Sequence, residues 1–138
     1  MTMKRGLRFF PVLFLIIFIL PFRSLVGQTE EVNKQIVSAI NAGSTQELTK
    51  YFNSMVDLSL PGIDDSYGKT QAIRIIQDFF SKYPVKSYKT SKTGNSNDGS
   101  QFSIGKLEAG NKSFRVFYLI KKISDQYLIH QFQIQEEK

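Results

Sequence analysis

The chain holds one histidine, no cysteine and twelve acidic residues, so acid–base chemistry has few places to reside. His130 is the side chain that titrates near neutrality. It lies in a C-terminal stretch that also contains Ser103 and Tyr118, and the strand pairing argued below sets the three in one row. A histidine beside a phenol and a hydroxyl can hold a polar ligand or exchange a proton with it. The competing reading is an ordinary core in which Tyr118 and His130 hydrogen-bond each other. Asp57 sits on a short strand whose alternation buries Val56, Leu58 and Leu60, so its carboxylate is expected outside. Asp64 and Asp65 are adjacent in an expected loop near Tyr67, and two acids fall far short of a calcium site. One histidine without cysteine gives no transition-metal spacing. There is no nucleophile elbow and no His–Asp pair, so the sequence assigns no catalytic residue, no metal and no cofactor.

The row depends on the elements that carry it. From Val85 onward the apolar period is two, which predicts strands at about 85–92, 101–109, 112–122 and 127–135. A polar loop covers 94–100, and Gly110-Asn111 is a two-residue hairpin turn. That turn pairs Ala109 with Lys112, Leu107 with Phe114 and Ser103 with Tyr118. A three-residue turn at 123–125 pairs Lys122 with Gln126, and hence Ile120 with Leu128, Tyr118 with His130, Val116 with Phe132 and Phe114 with Ile134. A one-residue slip would set Val116 against Gln133, which burial disfavours. Gly105 carries a warning, because a strand glycine often marks a bulge.

In this register Leu107, Phe114, Val116, Ile120, Leu128, Phe132 and Ile134 face the helices, with Ser103, Tyr118 and His130 as a candidate pocket among them. The opposite face carries Phe102, Ile104, Phe117, Leu119 and Ile129, mixed with Lys106 and Arg115. Five large apolar residues on a face expected to meet water predict a homodimer through it. The alternatives are that helices cover this face or that its cations split the patch.

The first part of the chain supplies the helices. Glu30 to Asn41 has Val32, Ile36, Val37 and Ile40 on one stripe, with Thr29 as its expected cap. Ser44 to Glu47 matches a capping box and starts a short helix to about Phe52. Met55 to Leu60 reads as a strand, Ile63 to Lys69 as a loop, and Gln71 to Tyr83 as a helix capped by Thr70 and stopped by Pro84. Tyr67-Gly68-Lys69 could approach a ligand through backbone N–H groups, or simply serve the turn. Lys86, Lys89 and Lys92 with Tyr88 read as a solvated, lysine-guarded edge.

Residues 1–27 read as a secretory signal. Lys4, Arg5 and Arg8 precede an apolar run of about fourteen residues from Phe9 to Phe22, and a cut is expected before Gln28. The run is shorter than the roughly 20 residues that a membrane-crossing helix needs. No stable membrane span is therefore expected after cleavage, and residues 28–138 are expected to form a single domain in the periplasm or at the cell surface. Four basic residues and five of the twelve phenylalanines leave with the signal. The mature segment keeps 14 basic and 12 acidic residues, a net +2 against +6 for the whole chain. That balance gives no support to a nucleic-acid partner. Without cysteine, packing alone must stabilise the exported domain.

Helix, helix, strand, helix and four antiparallel strands make an α+β fold, with three helices packed on a curved sheet. This order resembles the nuclear transport factor 2-like, or cystatin-like, superfamily of cone-shaped domains. The stretches Val56-Asp57-Leu58-Ser59-Leu60-Pro61-Gly62, Tyr67-Gly68-Lys69-Thr70-Gln71-Ala72, Asp78-Phe79-Phe80, Ile104-Gly105-Lys106-Leu107 and Phe114-Arg115-Val116-Phe117 are similar to a family of small, exported, uncharacterised Bacteroidetes proteins. That resemblance implies a fold and a location and no activity. The expected function is a non-catalytic exported domain that binds a small molecule or a partner protein. The alternative is a small isomerase- or dehydratase-like enzyme using His130 and Tyr118.

Overall fold

The computed structural model describes residues 25–138. The secretory signal read from the sequence therefore lies, over residues 1–24, outside the described residues. Helix α1 spans Leu25–Asn41, longer than the expected 30–41, so Thr29 lies inside it and is not its cap. It ends where Gly43 takes φ +60°, which lets Ser44 N–H reach Ala39 O and Gly43 N–H reach Ile40 O, both at 2.9 Å. Ser44 then caps α2 (Thr45–Thr49) by accepting from Glu47 N–H at 3.2 Å. The reciprocal half of the capping box is absent, because the Glu47 carboxylate accepts from Lys50 Nζ at 2.9 Å instead.

Strands β1 (Phe52–Leu60) and β2 (Ile63–Gly68) form a hairpin in which Leu60 pairs with Ile63. The expected loop over 63–69 is thus corrected to a strand. Gly62 at φ +82° makes the two-residue turn with Pro61. The strand was hidden because it is the edge of the sheet, where Asp64, Asp65 and Ser66 stay exposed and no apolar alternation is needed. Helix α3 (Lys69–Lys82) follows, entered through Gly68 with no side-chain cap, so Thr70 is not the cap expected. It buries Ala72, Ile76, Phe79 and Phe80 and is stopped before Pro84.

The last four strands are β3 (Val85–Asn95), β4 (Gln101–Ala109), β5 (Lys112–Ile123) and β6 (Gln126–Glu136). Together they give a mixed α+β domain with three helices and a curved, open, six-stranded sheet in the order β2-β1-β6-β5-β4-β3. Only β1 and β6 run parallel. Asn41 ties α1 to the far edge. Its Oδ1 accepts from Tyr88 N–H at 2.8 Å and its Nδ2 donates to Tyr88 O at 2.9 Å, so the side chain stands in for a strand partner. The aromatic group Phe79, Tyr83 and Phe114 pins α3 to β5, with ring centroids 5.1 to 5.3 Å apart.

The β4–β5 register is the one expected: Ala109 opposes Lys112, Leu107 opposes Phe114 and Ser103 opposes Tyr118. The β5–β6 register is not. Ser124 and Asp125 both take positive φ, 47° and 63°, and make a two-residue turn that pairs Ile123 with Gln126. Carried on unbroken, that pairing would set Tyr118 against Gln131 and Val116 against Gln133, driving glutamines into the core. One extra residue at His130 cancels the slip. Ile120 pairs with Ile129, Leu119 with Gln131, and Tyr118 then meets Phe132 while Val116 meets Ile134. The expected Tyr118–His130 pair is replaced by Tyr118–Phe132, whose rings stack at 6.4 Å and 12°.

Candidate functional site

Between α1 and the sheet lies a small polar group in an otherwise apolar core. Tyr118 is fully buried, and its hydroxyl donates to Asn33 Oδ1 of α1. Ser103, 1% exposed, stands directly opposite on β4. Tyr88 of β3 completes the group and is also buried. Its ring covers Gly105, where a Cβ would lie 2.3 Å from the Tyr88 hydroxyl. Neither Ser103 Oγ nor the Tyr88 hydroxyl finds a partner of hydrogen-bond geometry. Ser103 is nonetheless close enough to both phenols to oppose the rise in pKa that burial forces on them. Burial wins: Tyr118 is pushed up to about 12, and Tyr88 is raised further still. Both phenols are neutral at physiological pH, able to donate a hydrogen bond and unable to act as bases.

Gly105 keeps regular pairing with Val116, so the anticipated bulge is not on its strand. The irregularity is on β3, between Thr90 and Lys92, where Ser91 Oγ donates to Ile104 O at 3.1 Å. β3 is indeed a lysine-bearing edge, but Tyr88 is core and not part of a solvated strand. The signal for this was a glycine in the middle of an apolar strand, which makes room for a cross-strand ring.

His130 does not join Ser103 and Tyr118. The bulge turns it to the outer face, toward Asp57 and Lys121. Its ring is half-buried, and Nε2 is shut off from solvent without a partner. Burial and Lys121 lower its pKa, with Asp57 pulling the other way, so the imidazole is neutral at pH 7. Asp57 accepts from Ser66 Oγ, directly opposite on β2. Serine, aspartate and histidine thus share one region, but the carboxylate stands between the other two. The serine proton is engaged by Asp57 and not by the imidazole, so the order required of a nucleophilic triad is not met.

The rest of the outer face is apolar at its centre and cationic around it. Phe102 pairs with Leu119 and Ile104 with Phe117, each half-buried. The Phe102 and Phe117 rings lie near parallel, 6.4 Å apart at 20°. Phe102 packs closely against Gly94, where a Cβ would come within 2.4 Å of the ring. Ile129, expected here, is fully buried in the core, because the two-residue turn sends it to the other side. Lys92 opposes Ile104, and Lys89, Lys106 and Arg115 line up across three strands. β6 borders the patch with Gln131, Gln133 and Gln135. A hollow of about 120 Å³ opens between Arg115, Phe117, Gln133 and Gln135. A larger groove of about 750 Å³ lies elsewhere, between the first turns of α1 and the β5–β6 turn, and includes Val32, Tyr51 and Tyr127.

No cluster of three His, Asp or Glu side chains among the described residues is placed to hold a metal. No helix among them is long and apolar enough to cross a membrane.

The family described as a domain of unknown function, DUF4783, matches residues 33–135. The chain belongs to the DUF4783 family. A crystal structure of a DUF4783 protein from Bacteroides uniformis is 33% identical, with a TM-score of 0.73 over 78% of this chain and 98% of that one. A nuclear transport factor 2-like protein from Cytophaga hutchinsonii has a TM-score of 0.62 at 11% identity, covering 83% and 99% of the two chains. A cystatin-like domain of unknown function from Nostoc punctiforme has 0.65 at 12%, covering 83% and 80%. At these low identities the last two speak for the fold alone, and they agree with the cone-shaped architecture that this DUF4783 chain adopts. No protein with a curated description matches the chain.

Proposed function

We propose that this DUF4783 protein is an exported, non-catalytic domain that binds a small molecule or a partner protein, and that the outer sheet face is its contact surface. One observation carries the reading. Among the described residues no charged side chain is buried: the polar buried residues are Ser100 and Ser103, joined by two neutral phenols. A cone enzyme of the isomerase or dehydratase kind needs a base inside. Here the one histidine faces the other way. The apolar centre of the outer face also suits a homodimer, but Lys89, Lys92, Lys106 and Arg115 would oppose a like-charged copy.

Export is tested by mass spectrometry of the periplasmic fraction, where the mature chain should begin at Gln28. A chain retained in the cytoplasm with residues 1–27 intact would refute it. The absence of catalysis is tested by incubating the mature chain with a β,γ-unsaturated ketone. Double-bond migration that disappears in His130→Ala would favour the enzyme instead.

A further inference from the structure

We infer that the hollow between Arg115, Phe117, Gln133 and Gln135 binds an acidic sugar, a uronate unit of a polysaccharide chain. The inference rests on the binding-domain reading above and names the ligand class for it.

Three kinds of group meet in this hollow, and each matches one part of such a ligand. Arg115 is exposed and has no ion-pair partner among the described residues, so its planar fork is available to a carboxylate in two parallel hydrogen bonds. Gln133 and Gln135 each supply an amide donor and an acceptor, which suits adjacent hydroxyls that both give and accept. Phe117 supplies an aromatic wall, whose electron-rich face attracts the polarised C–H groups of a sugar ring.

The surroundings extend the match from one unit to a chain. Phe102 packs closely against Gly94 and is nearly parallel to Phe117, so two aromatic rings neighbour each other beside the hollow. Lys92, Lys106 and Lys121 flank the two rings, and Glu108, paired with Lys106 at 3.6 Å, is the acid among them. Lys89, Lys92, Lys106 and Arg115 thus gather on β3, β4 and β5, while Asp57 and Asp64 lie on β1 and β2. That arrangement complements a polyanion lying across β3, β4 and β5.

The experiment is titration of the isotope-labelled mature chain with oligogalacturonate, followed by amide shifts, with a maltooligosaccharide of equal length and polyphosphate as controls. Oligogalacturonate should shift amides around Phe117 and Gln133, the neutral sugar should not bind, and polyphosphate should bind at least tenfold more weakly. Arg115→Gln should weaken uronate binding at least tenfold, and Arg115→Lys, which keeps the charge and loses the fork, should weaken it nearly as much. Arg115 is exposed, and unchanged melting curves will show that both variants fold. Equal binding of polyphosphate, or an Arg115→Lys variant that binds like the parent, would reduce the site to general electrostatics and overturn the inference. So would shifts confined to the Tyr51–Tyr127 groove, or a dimer that buries Arg115. A His130-dependent turnover would instead overturn the binding-domain reading itself, which the titration does not address.

Discussion

Tyr88 lies over Gly105 as diagonal neighbours on β3 and β4, with the phenol where a Cβ would otherwise be: the Cβ of an alanine there would fall 2.3 Å from the hydroxyl and 2.5 Å from the ring. The glycine is the recess in the sheet that lets an edge-strand tyrosine reach the core, where it meets Ser103. Gly105→Ala should therefore expel the ring and cost about 2–3 kcal/mol, the overpacking range. Gly94→Ala is the internal comparison. It meets Phe102 in the same way, but on the outer face, where the ring is free to swing, so the cost should stay near 1 kcal/mol or less. Urea unfolding of the two variants measures the difference.

The Asn33–Tyr118 bond joins α1 to the middle of β5 across the core. Tyr118→Phe removes the donor and leaves the half-buried Asn33 amide oxygen without it. The expected loss is about 1–2 kcal/mol with little change in the cooperativity of unfolding. Asn33→Leu in the Tyr118→Phe background should recover part of that loss, because both polar ends are then gone. A double-mutant cycle by denaturant titration tests this coupling.

Much of this interior was legible in the sequence, and the failure at His130 is instructive. Gly110-Asn111 has one common hairpin solution, and the β4–β5 register followed from it without error. Ile123-Ser124-Asp125 admits either a two- or a three-residue connection. The apolar pattern downstream demands that Phe132 and Ile134 face inward, and two routes satisfy it: a three-residue turn, or a two-residue turn followed by a bulge. The chain takes the second. Both place Phe132 and Ile134 in the core, so periodicity could not separate them. They differ only over Leu128, Ile129 and His130, the stretch on which the expected pocket and part of the expected dimer face depended. Edge strand β2 was missed for a related reason: an exposed strand rich in Asp and Ser carries no apolar period to read.

The displaced histidine gives a pH signature whose sign follows from its surroundings. Burial and Lys121 hold the folded-state pKa of His130 below the ordinary 6.5. The unfolded chain then binds a proton more readily than the folded one. The contribution is fully present above about pH 6.5 and is lost as pH falls through the folded value. The two phenols act at the other end of the scale. Their raised pKa values mean that stability holds below about pH 10 and is lost above it, toward the folded value of about 12 for Tyr118. Urea midpoints measured from pH 5 to 11 should fall at both ends. His130→Gln should flatten the part of the acid limb just below pH 6.5 and leave the alkaline limb unchanged.

The β5–β6 turn offers a stabilising change. Ser124 and Asp125 both sit at positive φ, a conformation that costs a residue with a Cβ about 1 kcal/mol or more and that Asn-Gly adopts readily. Both are exposed, and among the described residues the one ion pair at this turn is Lys122 with Asp125 at 3.8 Å, an exposed contact worth little. Ser124→Asn with Asp125→Gly should therefore raise stability by about 0.5–1 kcal/mol, a shift of a few degrees in Tm for a domain of this size. Ser124→Gly alone probes the register. A three-residue turn would put only its last residue, 125, at positive φ, so glycine at 124 would relieve no strain, and a melting temperature that stays level or falls would count against the two-residue turn and against the bulge at His130 that depends on it.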